Sequence, residues 1–349
     1  MMKKVLKFLE DIRKKDEVII IFHNDADGIC AATILNRFIH RRTEKKALLI
    51  SQPMPVDANL LEKIKTTVPT KIIITDLAID QQKDMVRKIA GISETLIIDH
   101  HIISNNMNNS KIVHYNPRFT KPKIYQSASY LCYKICGKID NMEKELWLAL
   151  VGTIADYNLE DSEDLIKEGK NKYKFKDPKK SVFSEIGNYV FSTKATRELS
   201  PEKIADVFFE TEDADKLGES KNGKRMLDSN QIIQSEINSI TSEAEKNMEK
   251  QGEVFFVEVK PKHNVRSPIS TIISEKHRKK LVIIYEKTGG KVKVSARNQD
   301  KNLNVGKVFD KAMKGIKGSA GGHEAAGGAI VPEKDWEEFK QKIVDAVNK

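Results

Sequence analysis

Cysteine is scarce in this chain, with three among 349 residues. An odd, scattered set excludes a disulfide framework and fits a reducing compartment. Cys132 and Cys136 lie four apart in YLCYKIC, on one helical face where buried packing is a simpler reading than metal binding, and Cys30 reads the same way. Proline is sparse too, at ten residues, and 39% hydrophobic beside 32% charged residues excludes a disordered or fibrous chain. No apolar run approaches the roughly 20 residues that a bilayer span needs, so no membrane role is expected. The opening MMKKVLKFLEDIRKKDE alternates charged and apolar residues without a small-residue cleavage site. It reads as an amphipathic helix rather than a signal peptide, which sets the expectation of a cytoplasmic protein. Acid does not dominate: the net charge is +10. That permits a polyanionic partner, although a solvated lysine-rich surface explains the same balance.

Four short apolar runs fill the first part of the chain: EVIIIFH (17–23), KALLIS (46–51), KIIITD (71–76) and ETLIID (94–99), with amphipathic stretches between them. This alternation predicts an α/β fold with a parallel sheet. Chemistry in such sheets sits at the carboxyl ends of the strands, which brings His23, Asp76 and Asp99 together. Helical patterns follow in QSASYLCYKICG and EKELWLALVGTIADY. From 158 to 250 the character changes, with EDSEDLIKE, six lysines between Lys170 and Lys180 and long polar helical stretches. This segment reads as a helical connector or insertion. From 251 to 349 a second, smaller α/β domain is expected, with strands FFVEV, KLVIIYE and KVKVSAR, a helix over NVGKVFDKAMKG, a glycine-rich turn and a closing helix from Glu333. The expected division is thus 1–157, 158–250 and 251–349.

The chemistry concentrates in the first division. HNDADG, His23 to Gly28, stands between a buried strand and an apolar helix. Asp25 and Asp27 can both point into one site, and Gly28 permits the tight turn. Crowded carboxylates repel one another and lose hydration, so a cation is the usual reason for them. An aspartate that merely caps a helix explains the motif equally when it stands alone. Asp76 closes a strand, where a turn aspartate is also ordinary. Asp99, His100 and His101 close the next, and paired histidines at a buried strand end are costly unless liganded or hydrogen-bonded. Asp156 ends an apolar helix, where the helix dipole disfavours an anion. Four such motifs in series leave little room for coincidence. Mixed carboxylate and imidazole ligands suit manganese better than calcium or structural zinc.

The series HNDADG, ITD, IDHH and GTIAD resembles motifs one to four of the DHH phosphoesterase superfamily. GSAGGHEAAGGA (318–329) resembles the glycine-rich signature of its DHH-associated nucleic-acid-binding domain. The resemblance covers about 1–160 and 253–332. It implies two divalent ions, manganese above all, with magnesium or cobalt as substitutes. Asp25 would hold the first ion, Asp27, His100 and Asp156 the second, and Asp76 would bridge them. His101 would contact the scissile phosphate with Asp99 supporting it, so that Asp76, Asp99, His100 and His101 form the expected catalytic set. In the pyrophosphatase and oligoribonuclease branches the first-motif histidine lies four residues before the first aspartate, where this chain has Ile21. His23, two residues before, takes that place as a sixth expected metal ligand, with a spacing that resembles archaeal RecJ-like proteins.

Glycines around His323, notably Gly321 and Gly322, would let backbone amides approach a phosphate, and Arg297 at the end of KVKVSAR suits bidentate phosphate contact. A tight turn before the strand GGAIV is the plainer reading of the same glycines. The lysines at 170–180 and KHRKK (276–280) would extend a track for a longer strand, or simply be solvated loops; Tyr173 and Phe175 among them are poor support for base stacking. The resemblance implies a manganese-dependent, RecJ-like exonuclease acting on single-stranded DNA or RNA, with a place in DNA repair. Its alternatives are a phosphodiesterase for short oligonucleotides, as in nanoRNases, or for cyclic dinucleotides, and a non-enzymatic replication scaffold bound to GINS. Inorganic pyrophosphatase is disfavoured, since that branch carries a different carboxyl domain.

Overall fold

The computed structural model describes residues 1–300 and 302–348. They form two compact units, Met1–Asn230 and Gln231–Lys349. Among the described residues no helix is long and apolar enough to cross a membrane, and all three cysteines are buried and free.

The first unit is built on five parallel strands: β1 (Val18–His23), β2 (Leu48–Gln52), β3 (Lys71–Thr75), β4 (Glu94–Ile98) and β5 (Ile112–Tyr115), in the order β2-β1-β3-β4-β5. Continuous β-branched runs suit strands covered on both faces. On one face Ile20, Phe22, Ile73 and Ile98 pack under the helices Ala26–Thr43, Ala128–Cys136 and Leu146–Ala155. On the other, Ile19, Ile21, Ile72 and Ile74 meet the helices Leu60–Thr67 and Lys83–Ile92. The four expected strands are present. β5 adds a fifth, edge strand that carries no strong apolar run, since its four residues include a histidine and only alternate ones are buried. Strand order reverses between β1 and β3, which makes their carboxyl ends the crevice where sheets of this kind bind ligands.

The segment expected to be a connector, 158–250, is divided between the units. Leu165, Ile166, Phe183, Ile186, Val190, Ile204 and Phe208 join the core of the first unit. They lie on the helices Glu163–Tyr173, Val182–Thr196 and Pro201–Glu210, whose lysines and acids are the outer faces of amphipathic helices.

The second unit holds six strands: β6 (Glu249–Gln251), β7 (Val254–Glu258), β8 (Leu281–Thr288), β9 (Lys291–Arg297), β10 (Ser319–Gly322) and β11 (Ala326–Pro332), in the order β10-β11-β9-β8-β7-β6. Among its described residues only β7 and β8 pair in parallel, and the helix Arg266–Lys276 supplies the crossover that such a pair needs. Phe256, Phe309, Trp336 and Phe339 fill its core. The glycine-rich stretch, expected as a turn, forms the hairpin of β10 and β11 with Gly321 opposite Gly328 and Gly322 opposite Gly327.

Candidate metal centre

Backbone geometry explains why the side chains converge. β1 delivers His23, and the chain turns at once into the helix Ala26–Thr43, whose N-cap Asp25 accepts a hydrogen bond from the Gly28 amide at 3.0 Å. A side chain at Gly28 would meet the His23 carbonyl oxygen at 2.2 Å, so the turn requires glycine. Asp76 follows β3 in the left-handed region, φ 59°, with its amide bonded to the Ile98 carbonyl at 3.2 Å. Aspartate is one of the few residues that tolerates that conformation. Asp99 follows β4, its amide held by the Tyr115 carbonyl at 3.0 Å. Asp156 caps the carboxyl end of the helix Leu146–Ala155.

Two adjoining groups result, linked by a third. His23, Asp25 and Asp76 place ligand atoms within 4.8 Å of one another, and so do Asp27, His100 and Asp156. Asp76 also belongs with Asp99, His100 and His101. His23 Nδ1 lies 2.7 Å from Asp25 Oδ2 and 3.7 Å from Asp76 Oδ2. His100 spans the two groups, with Nε2 3.1 Å from Asp76 Oδ1 and Nδ1 3.8 Å from Asp156 Oδ2. Asp27 is buried against the start of the helix Ala128–Cys136, accepting from the amides of Ala128 at 2.6 Å and Ser129 at 2.9 Å. His101 is fixed through Nδ1 to Asp99 Oδ1 at 2.8 Å while 40% of its side chain stays exposed.

The electrostatics of this crowd are severe. Burial pushes Asp76 far above the usual carboxylate range, and the charges of Asp25 and Asp27 add to it. Burial and the charge of Asp27 bring Asp156 up to about 8. Asp27 is raised by burial despite the nearby His100. Burial would lower His23, but its hydrogen bonds to Asp25 and Asp76 prevail and raise it to about 10. Asp25 responds in the opposite sense: burial favours its proton, and the bond to His23 holds it well below the ordinary value. Burial opposes charge on both His101 and Asp99, yet their mutual contact raises the first and lowers the second.

Asp76 Oδ2, His100 Nδ1 and Asp156 Oδ2 are buried without a hydrogen-bond partner among the described residues. Three orphaned acceptors in one cluster of carboxylates and imidazoles fit divalent cations, which would satisfy all three and cancel the repulsion. Such ions supply Lewis acidity toward a phosphoryl oxygen and lower the pKa of a bound water.

Two neighbours of the centre escaped sequence reasoning. The Tyr125 ring stacks on His100 at 5.3 Å, with its hydroxyl 3.3 Å from the Asp156 carbonyl. Arg118 Nε donates to the His100 carbonyl at 2.7 Å. Both come from the irregular stretch 116–127, where no periodicity marks a side chain as inward. Gly152 of GTIAD lets its helix close on the site: a Cβ there would fall 2.6 Å from Asp27 Oδ1 and 2.2 Å from Ser129 Oγ.

The remaining expected residues lie in the second unit. Arg297 ends β9 opposite Ala326, with Nη2 3.3 Å from Ser267 Oγ. The His323 amide bonds the Ala326 carbonyl at 2.8 Å across the same hairpin end, so the two residues share one end of the sheet. Arg266, Lys293, Ser319, Gly321 and Gly328 line a cavity of about 320 Å³ on this unit.

The model of the DHH family, N-terminal domain, matches residues 17–158, and that of the DHHA1 domain matches 252–349. An uncharacterized protein of Methanocaldococcus jannaschii is 23% identical over 99% of both chains. RecJ from Thermus thermophilus, solved in complex with Mn2+, superposes on the whole of this chain with a TM-score of 0.76 and 17% identity. This chain spans 55% of that protein. A pGpG-specific phosphodiesterase of Vibrio cholerae aligns over 95% of this chain and 99% of its own, with a TM-score of 0.54 and 12% identity. At such identities these likenesses speak for a shared fold.

Proposed function

The chain belongs to the DHH family of phosphoesterases, and from that premise we propose that it is a manganese-dependent, RecJ-like exonuclease hydrolysing single-stranded DNA or RNA. One observation carries the reading: Asp76, grouped with His23 and Asp25, touches His100 of the Asp27–His100–Asp156 group at 3.1 Å, and three buried acceptors of this cluster lack partners among the described residues. His23, Asp25 and Asp76 would hold one ion and Asp27, His100 and Asp156 the other, with Asp76 as the residue expected to serve both. His101, its Nδ1 engaged by Asp99 and its ring partly exposed, donates from Nε2 to a non-bridging oxygen of the scissile phosphate. The contact with Asp99 favours the protonated ring that this requires. Arg297 and His323, at one end of the second sheet, bind phosphates of the strand, and Gly321 and Gly322 leave room for its backbone.

End-labelled single strands of graded length, incubated with Mn2+ and with excess EDTA, test this. Activity with manganese and none with chelator is expected, with efficiency rising as the strand lengthens and falling with added salt. Full activity in EDTA would refute it. The fold shared with the pGpG-specific enzyme favours a second reading, a phosphodiesterase for very short or cyclic oligonucleotides. In that case efficiency peaks at a very few nucleotides.

A further inference from the structure

The helix Val182–Thr196 lies outside both matched domains, in the stretch between residues 158 and 252. Two of its residues nonetheless touch the metal centre's framework. A Cβ at Gly187 would fall 3.1 Å from the Ala155 Cβ, so the helix packs directly behind the residue preceding Asp156. On the same helix, Lys194 sends its Nζ to Asn24 Oδ1 at 2.9 Å, and Asn24 is the residue between His23 and Asp25. Lys194 is half-buried. Among the described residues Asn24 is its one hydrogen-bond partner, and Asp25 is the charge that it feels.

An ammonium has three donors, and Asn24 occupies one. A half-buried ammonium with only one protein partner keeps donors with which it can take an anion that arrives with the substrate. Charge counting agrees. Two dications would neutralise the four carboxylates of Asp25, Asp27, Asp76 and Asp156, so the negative charge of a bound phosphodiester would be left for the protein's own cations to meet. Resting on the function proposed above, we propose that Lys194 binds a substrate phosphate there, which gives the uncovered helical segment a direct part in substrate recognition.

The bland alternative is a brace, in which Lys194 merely ties its helix to the turn after β1. Lys194→Gln separates the two, because it keeps a donor for Asn24 and removes the charge. With a short oligonucleotide and Mn2+, the variant should raise KM roughly ten- to a hundredfold, as loss of a charge-assisted contact does, with kcat changed little. The salt dependence of binding should flatten by roughly 0.7 in logarithmic slope, the share of one phosphate contact on a single strand. Lys194→Arg should restore most of the affinity. Calorimetry should show weaker binding of a nucleoside monophosphate to the Mn2+-loaded variant, with Mn2+ affinity and melting temperature as in wild type. An unchanged KM and salt slope would overturn the proposal. So would a loss of Mn2+ affinity that matches the loss of activity, since that is the brace. If the glutamine variant fails to fold, Lys194→Met, which keeps the packing of the aliphatic stem, carries the same measurements. Wild-type protein with no phosphodiesterase activity would refute the proposed function instead, and monophosphate binding would still decide for or against Lys194.

Discussion

Metal affinity at this centre should climb steeply with pH. In the metal-free protein Asp156 titrates at about 8 and His23 at about 10, and both must give up protons to become ligands. Below its pKa, each such group weakens binding about tenfold per pH unit, or 1.36 kcal/mol. Between pH 6 and 8 the two together should therefore tighten Mn2+ binding by about four orders of magnitude. Asp76, whose carboxyl is also pushed up, adds in the same direction. Stability of the metal-free protein runs the other way. A carboxyl raised from 3.8 to about 8 makes the folded state hold a proton that the unfolded state releases, so stability falls as pH rises through that window. By pH 7 the cost from Asp156 is about 4 kcal/mol. A histidine raised from 6.5 to about 10 contributes stability that is complete below 6.5 and lost as pH rises through 10. Both trends make the apo protein weaker in base while the ion binds it better. Calorimetric titration of Mn2+ at three pH values, in buffers of different ionisation enthalpy, reads affinity and protons released together. A logarithmic slope of two or more, with at least about two protons released at pH 7, is expected from these groups. Affinity that is flat in pH, with no proton release, would refute this picture of the centre.

Asp76→Asn should abolish hydrolysis, because a neutral amide cannot serve both ions, while leaving the apo protein at least as stable as wild type; activity assays and melts in EDTA check both halves. Gly152→Ala adds one methyl against Asp27 and Ser129 and removes no ligand; it should destabilise by about 1–3 kcal/mol and weaken the second ion selectively, which denaturation and metal titration measure. Arg297→Ala and His323→Ala should each lower kcat/KM for an oligonucleotide by roughly ten- to a hundredfold. A small chromogenic phosphodiester that engages only the metals should be turned over as before, and equal losses on both substrates would return His323 to the role of a turn residue.

Much of the first unit can be read directly from the chain, because its first four strands are short aliphatic runs and each of the first, third and fourth leads into His23, Asp76 or Asp99. What escaped reading depends on contacts distant in sequence. β5 has only a neighbour's backbone to define it. Lysine-rich 170–180 masks helices whose apolar stripes show only once a core exists for them to meet. Tyr125 and Arg118 reach His100 from a loop, and Lys194 reaches Asn24 across 170 positions. The left-handed turn at Asp76 left no compositional mark either, since a turn aspartate looks the same with or without an ion.

That turn also limits how the centre could be redesigned. At φ 59°, position 76 admits aspartate, asparagine or glycine at little cost, whereas any longer acid adds a backbone penalty of roughly 1–2 kcal/mol to a displaced carboxylate. Asparagine removes the charge and glycine removes the ligand. An engineer seeking a different metal or a different reaction therefore has no conservative move at the residue proposed to serve both ions. Asp25, in ordinary extended backbone at φ −99°, and His23 beside it are the positions where the ligand set can be varied without fighting the chain.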